Sequence, residues 1–547
     1  MKFLRVLANS LISGLFLGAL FSVLIYDLNI NLPFQFLFFG QLVLFNFLTY
    51  GLLVTVVCVV IFFIVQFFSG KRIRLKFASP SFLSVSFSFL IFLFVAIFRD
   101  NRDYFSSLFD TPTRAALNTQ ITVLVILGIL GLLAFYGFHR LKKNPLVYVV
   151  FYALLGAGLA FVLGSRLNYS QPQKTPRTSS LEAKKLEKRV VVLGMEGMSL
   201  DLLIPMISEG KLPNFSWLFE EGSWGNLVSF SPNEPFILNE SLSTGKLPAK
   251  HRQLSLSNYA IFTGRNELEV VPRHILFKQL RRLGLLAVTP ARPVPVVKDI
   301  WTIFADNGSD CLRRDWPYGL EAESADPKAQ KAFQQFFKDI GTKKKTPVDR
   351  VRKAFLTDWH YEERAFQEKN QAGGRLFCLL LNGLNATEVY FYKYSYPDLF
   401  GNIAQDDINA YGGVIEKYYQ YYDQIIGKYL AALKDDELLV IYSSHGTEPL
   451  PSWKRFVEWI LGNPDVSAYH ENAPDGVVFF YGKGVNRGTN VQGMKLVDIA
   501  PTLLYYLGLP VALDMDGTVK SALFQREFTW ENPVYPISSY EDVKIKK

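Results

Sequence analysis

Short polar motifs follow apolar, β-branched runs in the second half of this chain. Glu196 comes shortly after the run Val190–Leu193, and Ser444 and His445 come shortly after the run Leu438–Tyr442. Such runs are typical of buried parallel strands, and an open α/β sheet carries its chemistry just beyond the carboxyl ends of its strands. A carboxylate, a hydroxyl and an imidazole therefore stand where catalysis or ligand binding is expected.

The three cysteines do not add a metal-binding motif. Cys58 lies in an apolar segment, and Cys378 lies in the apolar run Leu376–Leu381. Neither they nor Cys311 form a CxxC or Cys/His cluster, so no structural zinc site is indicated. We expect unpaired thiols in apolar surroundings rather than a disulfide.

An ordered series of motifs extends from about residue 189 to about residue 525. The series resembles the type I phosphodiesterase / nucleotide pyrophosphatase domain of the alkaline phosphatase superfamily. Each motif alone is a weak signal, but their shared order is a strong one. Because apolar runs also alternate with helical patterns, the resemblance implies a doubly wound α/β fold. The motifs are Gly194-Met195-Glu196-Gly197, Gly210-Lys211-Leu212-Pro213-Asn214, Ser243-Thr244-Gly245-Lys246-Leu247-Pro248, Asp299-Ile300-Trp301, Asp315-Trp316-Pro317, Ser443-Ser444-His445-Gly446, Ala473-Pro474-Asp475-Gly476, Asp498-Ile499-Ala500-Pro501 and Asp514-Met515-Asp516-Gly517.

The resemblance implies a catalytic apparatus that this sequence does not keep. Members of that family place two metal ions, usually zinc, on either side of a Thr or Ser nucleophile that attacks phosphorus. Carried over to this chain, the nucleophile position falls on Pro235, which has no hydroxyl. Ser231, Glu234 and Ser241 lie nearby in sequence, but no base is evident beside them. We therefore expect no catalytic residue of the family type.

The metal-ligand positions that the resemblance implies are also largely changed. Two dications need several carboxylates and imidazoles close together. Glu196 replaces an Asp and keeps its charge on a longer side chain. Three further positions carry an amide, an alkyl group and a hydroxyl in place of the family's Asp, His and Asp: Asn385, Val389 and Ser444. We expect the zinc pair to be absent.

Two histidines, His445 and His470, match histidines that bind metal in the family. One interpretation is that they persist as hydrogen-bonded residues of a tight turn. Another is that they hold a single divalent metal together with Glu196, with Asn385 or Ser444 as a candidate further ligand. Glu196 could instead cap a helix N-terminus, where a negative charge is favourable.

The first half of the chain contains apolar stretches long enough to cross a bilayer, which takes about 20 residues. The second stretch is too short for two spans and a turn, so we expect one tilted or protruding helix there. No charged residue or histidine lies in the middle of a stretch, which argues against an ion or proton path. Five spans are expected, at about Leu7–Leu28, Phe34–Phe68, Phe82–Phe98, Ile121–Phe138 and Leu146–Leu163.

The basic residues near these stretches predict an orientation. Lys2 and Arg5 precede the first stretch. The positive-inside rule places the N-terminus in the cytoplasm, and five spans then place the second half of the chain outside it. With the resemblance and this layout, we expect a bacterial inner membrane protein with a periplasmic domain. Further basic residues follow the second and fourth stretches, namely Lys71, Arg72, Arg74, Lys76, Arg140, Lys142 and Lys143.

These observations divide the chain into a transmembrane domain (1–166), a polar basic linker (167–188), a phosphodiesterase-like domain (189–525) and a C-terminal tail (526–547). The basic end of the linker, Lys184 to Arg189, could be a solvated tether or could contact anionic headgroups. The net charge of +9 does not indicate nucleic-acid binding, because membrane proteins collect basic residues in their cytoplasmic loops.

Three classes of function remain open. The first is a pseudoenzyme that binds or scaffolds in an envelope complex. The second is a divergent, metal-dependent phosphodiesterase or phospho-substituent transferase that acts on envelope lipid or glycan. The third is a structural subunit that docks partners, with the tyrosine-rich segment Tyr418–Tyr422 as one interface, although packing of that helix on the sheet is the alternative. We favour the pseudoenzyme, with the lipid bilayer and proteins as its partners.

Overall fold

The computed structural model describes residues 2–70, 74–141, 144–166, 169, 179–182, 184, 186–262, 266–277, 280, 284–291, 296–314, 326–338, 340, 345–371, 374–460 and 462–546. The described residues fall into two compact units that do not follow chain order. The first contains Met1–Gln173 and Leu254–Val294, and the second contains Lys174–Gln253 and Pro295–Lys547.

The helices of the described residues are α1 (Lys2–Leu28), α2 (Phe36–Asn46), α3 (Leu52–Ser69), α4 (Pro80–Tyr104), α5 (Thr111–Arg140), α6 (Leu146–Ser165), α7 (Leu200–Ser208), α8 (Pro213–Glu221), α9 (Pro235–Thr244), α10 (Pro248–His251), α11 (Ile300–Asp306), α12 (Pro327–Phe336), α13 (Lys345–Gln371), α14 (Gly383–Ser395), α15 (Gln405–Tyr411), α16 (Val414–Ala431), α17 (Ser452–Ile460), α18 (Ile499–Tyr506) and α19 (Arg526–Glu531).

The strands of the described residues are β1 (Ser179–Glu182), β2 (Arg189–Met195), β3 (Ser223–Val228), β4 (Ser257–Ile261), β5 (Glu267–Leu268), β6 (Leu286–Pro290), β7 (Cys311–Arg314), β8 (Leu376–Leu381), β9 (Glu437–His445), β10 (Glu448–Pro449), β11 (Ala468–Tyr469), β12 (Asp475–Gly482), β13 (Thr489–Asn490), β14 (Met494–Lys495), β15 (Val511–Ala512), β16 (Pro536–Ile537) and β17 (Val543–Lys546).

Helices α1 to α6 form the apolar half that the hydropathy pattern predicts. Within the described residues, five helical segments are long and apolar enough to cross a membrane, which confirms the number of expected spans. The second of them, Phe36–Ser69, is one continuous segment rather than a hairpin. A π-helical turn at Phe47–Gly51 joins α2 to α3 within it.

The π-helical turn lies directly against α1. A Cβ atom on Gly14 would come within 2.3 Å of the carbonyl oxygen of Gly51, and one on Gly51 would come within 2.6 Å of the carbonyl oxygen of Gly14. Only glycine permits two helix backbones to approach this closely. These two positions therefore determine how α1 packs on the second apolar segment.

The segment Leu254–Val294 belongs to the unit that contains the apolar helices. It forms the antiparallel sheet β5-β4-β6. The side chain of Asn29 accepts hydrogen bonds from the backbone N–H groups of Glu269 and Val270 at 2.8 and 2.9 Å. The side chain of Asn101 likewise accepts one from Arg273 at 2.8 Å. The sequence analysis assigned this segment to the domain at 189–525, because its motifs gave no sign of an excursion.

The second unit is built on a mixed sheet. Its described strands run in the order β13-β3-β12-β9-β2-β8-β7, and β14 also pairs with β3. Strands β7, β8, β2 and β9 are mutually parallel, whereas β12 is antiparallel to β9 and β3. The apolar runs in the sequence correctly located β2, β8, β9 and β12.

Both faces of this sheet are covered. Along β2, Val191 and Leu193 belong to one apolar core, whereas Val190 and Val192 belong to the other. A strand that is buried on both faces is almost continuously apolar, which is why its sequence lacks alternation. The expected α/β fold with helices on both faces of the sheet is confirmed, and it brings the carboxyl ends of β2, β8 and β9 to one edge.

The tyrosine-rich part of α16 faces the core. Tyr418, Tyr419, Tyr421 and Tyr422 are all buried, so α16 packs on the sheet and these side chains do not form a surface interface. The three cysteines are all described, and all are free thiols. Cys378 is buried as expected, whereas Cys58 and Cys311 are partly exposed.

The linker and the tail contain ordered contacts where they are described. Strand β1 of the linker pairs in parallel with β17 at the other end of the chain. The ammonium group of Lys188 lies 4.1 Å from the centre of the Phe528 ring, so this basic residue packs on the domain. Most of 167–178, Lys185 and the Asp315-Trp316-Pro317 motif lie outside the described residues, as do Lys71, Arg72, Lys142 and Lys143.

Candidate functional site

The candidate site lies at the carboxyl edge of the central strands. Glu196 directly follows β2, Ser444 and His445 end β9, and Asn385 lies in the first turn of α14 after β8. The backbone N–H of Asn385 donates to the carbonyl oxygen of Glu196 at 3.2 Å, which joins two of these segments. The structure therefore brings together four residues that are up to 249 positions apart in the sequence.

The carboxylate of Glu196 is buried, with 1% of the residue exposed. Its Oε2 accepts hydrogen bonds from the backbone N–H of Ser444 at 2.9 Å and from the Ser444 hydroxyl at 2.7 Å. Its Oε1 accepts from the amide of Asn239 at 3.4 Å. A buried carboxylate is costly unless its oxygens are hydrogen-bonded, and here neutral donors supply those bonds.

Asn239 was not identified from the sequence. It lies on α9 and is fully buried, and its own Oδ1 accepts a hydrogen bond from the hydroxyl of Tyr442 at 2.7 Å. Tyr442 thereby fixes which end of the amide faces Glu196. An asparagine in the middle of an apolar helix carries no motif, so only the tertiary contact reveals its role.

The two histidines lie side by side. The ring centres of His445 and His470 are 4.8 Å apart, with 30° between the ring planes. The Nδ1 of His445 lies 2.9 Å from the carbonyl oxygen of Gly446, to which it donates. In the neutral ring, Nε2 then carries a lone pair. This atom lies 4.0 Å from Oε2 of Glu196 and has no hydrogen-bond partner among the described residues.

Asn385 and Val389 lie four positions apart, on one face of α14. The Nδ2 of Asn385 donates to the side-chain oxygen of Asn382 at 3.0 Å, and its Oδ1 has no hydrogen-bond partner within the described residues. Val389 offers only its carbonyl oxygen, which accepts from the backbone N–H of Ser467 at 2.8 Å. Neither side chain contributes charge to the site.

Pro235 is the first residue of α9. A proline suits this position, because its fixed φ matches the helix and its missing N–H would have had no intrahelical acceptor. The residue therefore has a structural role at the helix start. Its ring carries no group that could attack phosphorus.

Ser241 has a histidine partner, which the sequence analysis did not find. Its Oγ lies 2.8 Å from Nε2 of His251, and both residues are fully buried. The Nδ1 of His251 accepts a hydrogen bond from the backbone N–H of Gln253 at 3.1 Å, so Nε2 carries the proton and donates to Ser241. Burial lowers the pKa of His251 to about 3. A histidine that donates to the serine is not a base for it.

A second buried acid, Glu388, lies beside the site. Its Oε2 accepts a hydrogen bond from the hydroxyl of Thr447, and Oε1 has no partner among the described residues. Burial raises the pKa of Glu388 to about 8, which the bond from Thr447 partly offsets. Gly197 next to it has a φ of 101°, and a Cβ there would come within 2.9 Å of the backbone nitrogen of Asn385, so glycine is required. The sequence carried no signal for Glu388, which directly precedes Val389.

The residues of this site do not fit a pair of dications. Oε2 of Glu196 already accepts two hydrogen bonds, and the positions of Asn385, Val389 and Ser444 supply no second carboxylate. Within the described residues, no group of three or more His, Cys, Asp or Glu side chains is arranged to hold a metal ion. The family positions therefore supply one carboxylate, and its oxygens are already hydrogen-bonded, which is less negative charge than two dications require.

Part of this chain is similar to known proteins. The family model for type I phosphodiesterase / nucleotide pyrophosphatase matches residues 190–500. A 2,3-bisphosphoglycerate-independent phosphoglycerate mutase from Clostridium beijerinckii is 30% identical over 120 residues, which is 21% of this chain and 22% of that protein. The chain thus spans about a fifth of the length of this curated relative.

Two solved structures are similar at low identity. One is murine ectonucleotide pyrophosphatase / phosphodiesterase 5, an inactive variant in complex with AMP, with 13% identity, 62% of this chain and 100% of that chain covered, and a TM-score of 0.38. The other is a phosphonate monoester hydrolase from Silicibacter pomeroyi, with 15% identity, 62% and 76% coverage, and a TM-score of 0.36.

Proposed function

Because this chain belongs to the type I phosphodiesterase / nucleotide pyrophosphatase family of the alkaline phosphatase superfamily, we propose that it is a non-hydrolytic member of that family. Its function is to bind a ligand or to scaffold a membrane complex, anchored by the apolar helices. The observation that carries this proposal is the hydrogen-bonding of Glu196. Donors from Ser444 and Asn239 occupy the carboxylate that would otherwise face a cation.

The loss of the nucleophile supports the same proposal. Pro235 begins α9 at the position that the family resemblance assigns to the attacking hydroxyl. Ser241, the hydroxyl with a histidine beside it, is fully buried and accepts its hydrogen bond from His251. An activated nucleophile needs a base that takes its proton, and His251 is already protonated on the facing nitrogen.

A second candidate function, a divergent metal-dependent phosphodiesterase or transferase, is favoured by one observation. His445 donates from Nδ1 to a backbone carbonyl and leaves Nε2 facing Glu196 at 4.0 Å. Metal-binding histidines commonly donate their other ring nitrogen in this way, because it holds the ring orientation. A single divalent ion bound by His445 and Glu196, with His470 beside them, would supply a Lewis acid there.

Metal content and turnover separate the two candidates. The full chain is purified in detergent, its metal is measured by elemental analysis, and hydrolysis of bis(p-nitrophenyl) phosphate is followed on the same sample. We expect negligible metal and no turnover. Stoichiometric zinc or manganese with metal-dependent turnover, both lost in Glu196→Ala and His445→Ala but kept in the control His360→Ala, would overturn the proposal.

We also propose that the N-terminus is cytoplasmic and that the phosphodiesterase-like domain is extracytoplasmic, in a bacterial inner membrane. Basic residues before the first span and after the second and fourth spans support this orientation. In spheroplasts, added protease should digest the domain and leave the N-terminus protected. Protection of the domain would reverse the orientation.

A further inference from the structure

Helix α17 carries its apolar side chains on the outside of the second unit. It lies in the segment between His445 and His470 and has the sequence SWKRFVEWI. Trp453, Phe456, Trp459 and Ile460 are 57%, 60%, 63% and 60% exposed. Because residues three and four positions apart lie on one face of a helix, these four form a single surface, here called the α17 surface. The rings of Phe456 and Trp459 are stacked with 19° between their planes.

The polar residues of α17 face the protein instead. Glu458 is only 9% exposed, and it accepts hydrogen bonds from the hydroxyl of Tyr469 at 2.9 Å and from the amide of Asn463 at 2.8 Å. Lys454 pairs with Glu471. The guanidinium of Arg455 lies 4.8 Å from the centre of the Phe400 ring, and it donates to the carbonyl oxygen of the same residue.

This arrangement is the reverse of an ordinary surface helix, whose apolar stripe faces the core. The polar contacts hold α17 in this orientation, because turning its apolar side inward would break the bonds of Glu458 and separate Lys454 and Arg455 from their partners. Contiguous exposed apolar surface with several aromatic rings is typical of an interaction site. The helix is therefore held so that the α17 surface meets something outside the unit.

We propose that the α17 surface inserts into the interface of the lipid bilayer. Tryptophan and phenylalanine on one face of an amphipathic helix suit the headgroup boundary, where aromatic side chains are enriched. The apolar helices of the same chain keep a bilayer within reach, so the local concentration of lipid is high and a small surface suffices. A soluble partner would have to compete with that permanent neighbour.

The contact does not depend on whether the family site is active. A consequence for ligands does rest on the proposed function. Strands β10 and β11 pair antiparallel, with Glu448 opposite Tyr469, and they connect α17 to His445 and His470. Insertion of α17 would hold the candidate site close to lipid headgroups, which are then the first ligands to test in binding assays.

The tryptophans make the contact measurable in the intact protein. The chain has eight, at positions 217, 224, 301, 316, 359, 453, 459 and 530, so none lies in the apolar helices. The full chain is reconstituted in phosphatidylcholine vesicles whose acyl chains are brominated near the headgroup. Bromine quenches only tryptophans that contact lipid. We expect quenching of the wild type relative to unbrominated vesicles, and loss of most of it in the double variant Trp453→Phe/Trp459→Phe.

A matched control uses another exposed tryptophan. Trp530 is 76% exposed and lies on α19, which is not part of the α17 surface. The variant Trp530→Phe should keep the quenching. Quenching that is absent in the wild type, that survives the double variant, or that disappears in Trp530→Phe would overturn the proposal.

A second variant changes the α17 surface and keeps both of its tryptophans. Phe456→Glu/Ile460→Glu introduces two charges beside Trp453 and Trp459. Since these side chains are exposed, the unit should unfold at the wild-type temperature while the quenching falls sharply. Unchanged quenching in this folded variant would contradict insertion of the α17 surface.

Discussion

The candidate site and the α17 surface both reverse the usual distribution of polar and apolar groups, but in opposite ways. At the site, the carboxylate of Glu196 is inside the protein and obtains its partners from Ser444 and Asn239. On α17, Phe456 and Trp459 are outside the protein and remain more than half exposed. The first reversal is resolved within the chain, whereas the second leaves apolar side chains open to an external partner.

This difference indicates where ligands should be sought. A buried charge that lacked its hydrogen bonds would lower the stability of the fold, so the chain must satisfy it internally or with a bound ion. An exposed aromatic surface costs the folded state little, so nothing within the chain needs to cover it. Under the two proposals, Glu196 stabilises the fold, whereas the α17 surface binds a ligand from outside the chain.

The largest expected effect on stability comes from placing a second carboxylate in the candidate site. Ser444→Asp would place a second carboxylate against Glu196 and remove a hydroxyl donor. We expect the free energy of unfolding to fall by about 3–5 kcal/mol, as when a buried charge loses its partner. Added Zn²⁺ or Mn²⁺ should then raise the melting temperature of the variant and not that of the wild type. Tryptophan fluorescence on heating measures both.

The control for this variant is Ser444→Ala. It removes the hydroxyl donor without adding charge and should cost about 1–3 kcal/mol with no response to metal. If the wild type were stabilised by metal as strongly as Ser444→Asp, the hydrogen bonds of Glu196 would not have replaced a cation.

Asp358, a buried carboxylate away from the candidate site, makes the stability of the fold depend on pH. Asp358 accepts hydrogen bonds from the hydroxyls of Tyr418 and Tyr422 and from the N–H of Gly383. Burial raises the pKa of Asp358 to about 7 from its ordinary value of 3.8. The folded state therefore keeps a proton that the unfolded state has lost, so this contribution to stability is complete below about pH 4 and disappears as the pH rises to about 7.

Asp358→Asn should flatten that dependence. Each pH unit within the window changes the free energy of unfolding by up to about 1.4 kcal/mol for one group. Denaturant unfolding at several pH values between 4 and 8 measures the slope. A slope remains from Glu240 and Glu388, whose pKa values burial raises to about 7 and about 8. An unchanged slope in Asp358→Asn would show that Asp358 is ionised throughout.

A smaller effect is expected from Ser241→Ala. The variant leaves the Nε2–H of His251 buried without its acceptor, which should cost about 1–3 kcal/mol. Restoration of stability by Ser241→Thr, which keeps a hydroxyl, would support the hydrogen bond as the cause. A folded Ser241→Ala protein with the stability of the wild type would contradict it.

The smallest effect on stability is expected on the α17 surface. Trp459→Ser should change the free energy of unfolding by less than about 0.5 kcal/mol, since an exposed side chain loses few contacts. The same variant should weaken quenching by brominated lipid. A loss of several kcal/mol would mean that Trp459 stabilises the unit instead of contacting a partner.

Much of the fold could be predicted because apolar runs and hydropathy are properties of short, continuous stretches of sequence. Apolar runs located the strands β2, β8, β9 and β12, and hydropathy located the five helical segments of the described residues that are long and apolar enough to cross a membrane. The antiparallel direction of β12 could not be predicted, because a strand buried on both faces is equally apolar in either direction. The excursion Leu254–Val294 was also missed, since contacts such as those of Asn29 with Val270 are 241 residues apart.

The sequence by itself determined which residues stand at the family positions: Pro235, Glu196, Asn385, Val389, Ser444, His445 and His470. Tertiary structure alone decided what those residues do. It placed Asn239 on Glu196, paired His251 with Ser241 in the direction that prevents base catalysis, and turned the aromatic face of α17 outward. The physical reason is that periodicity shows which side chains share a face of a helix. Which face meets the core, and which donor meets which acceptor, depends on segments that are distant along the chain.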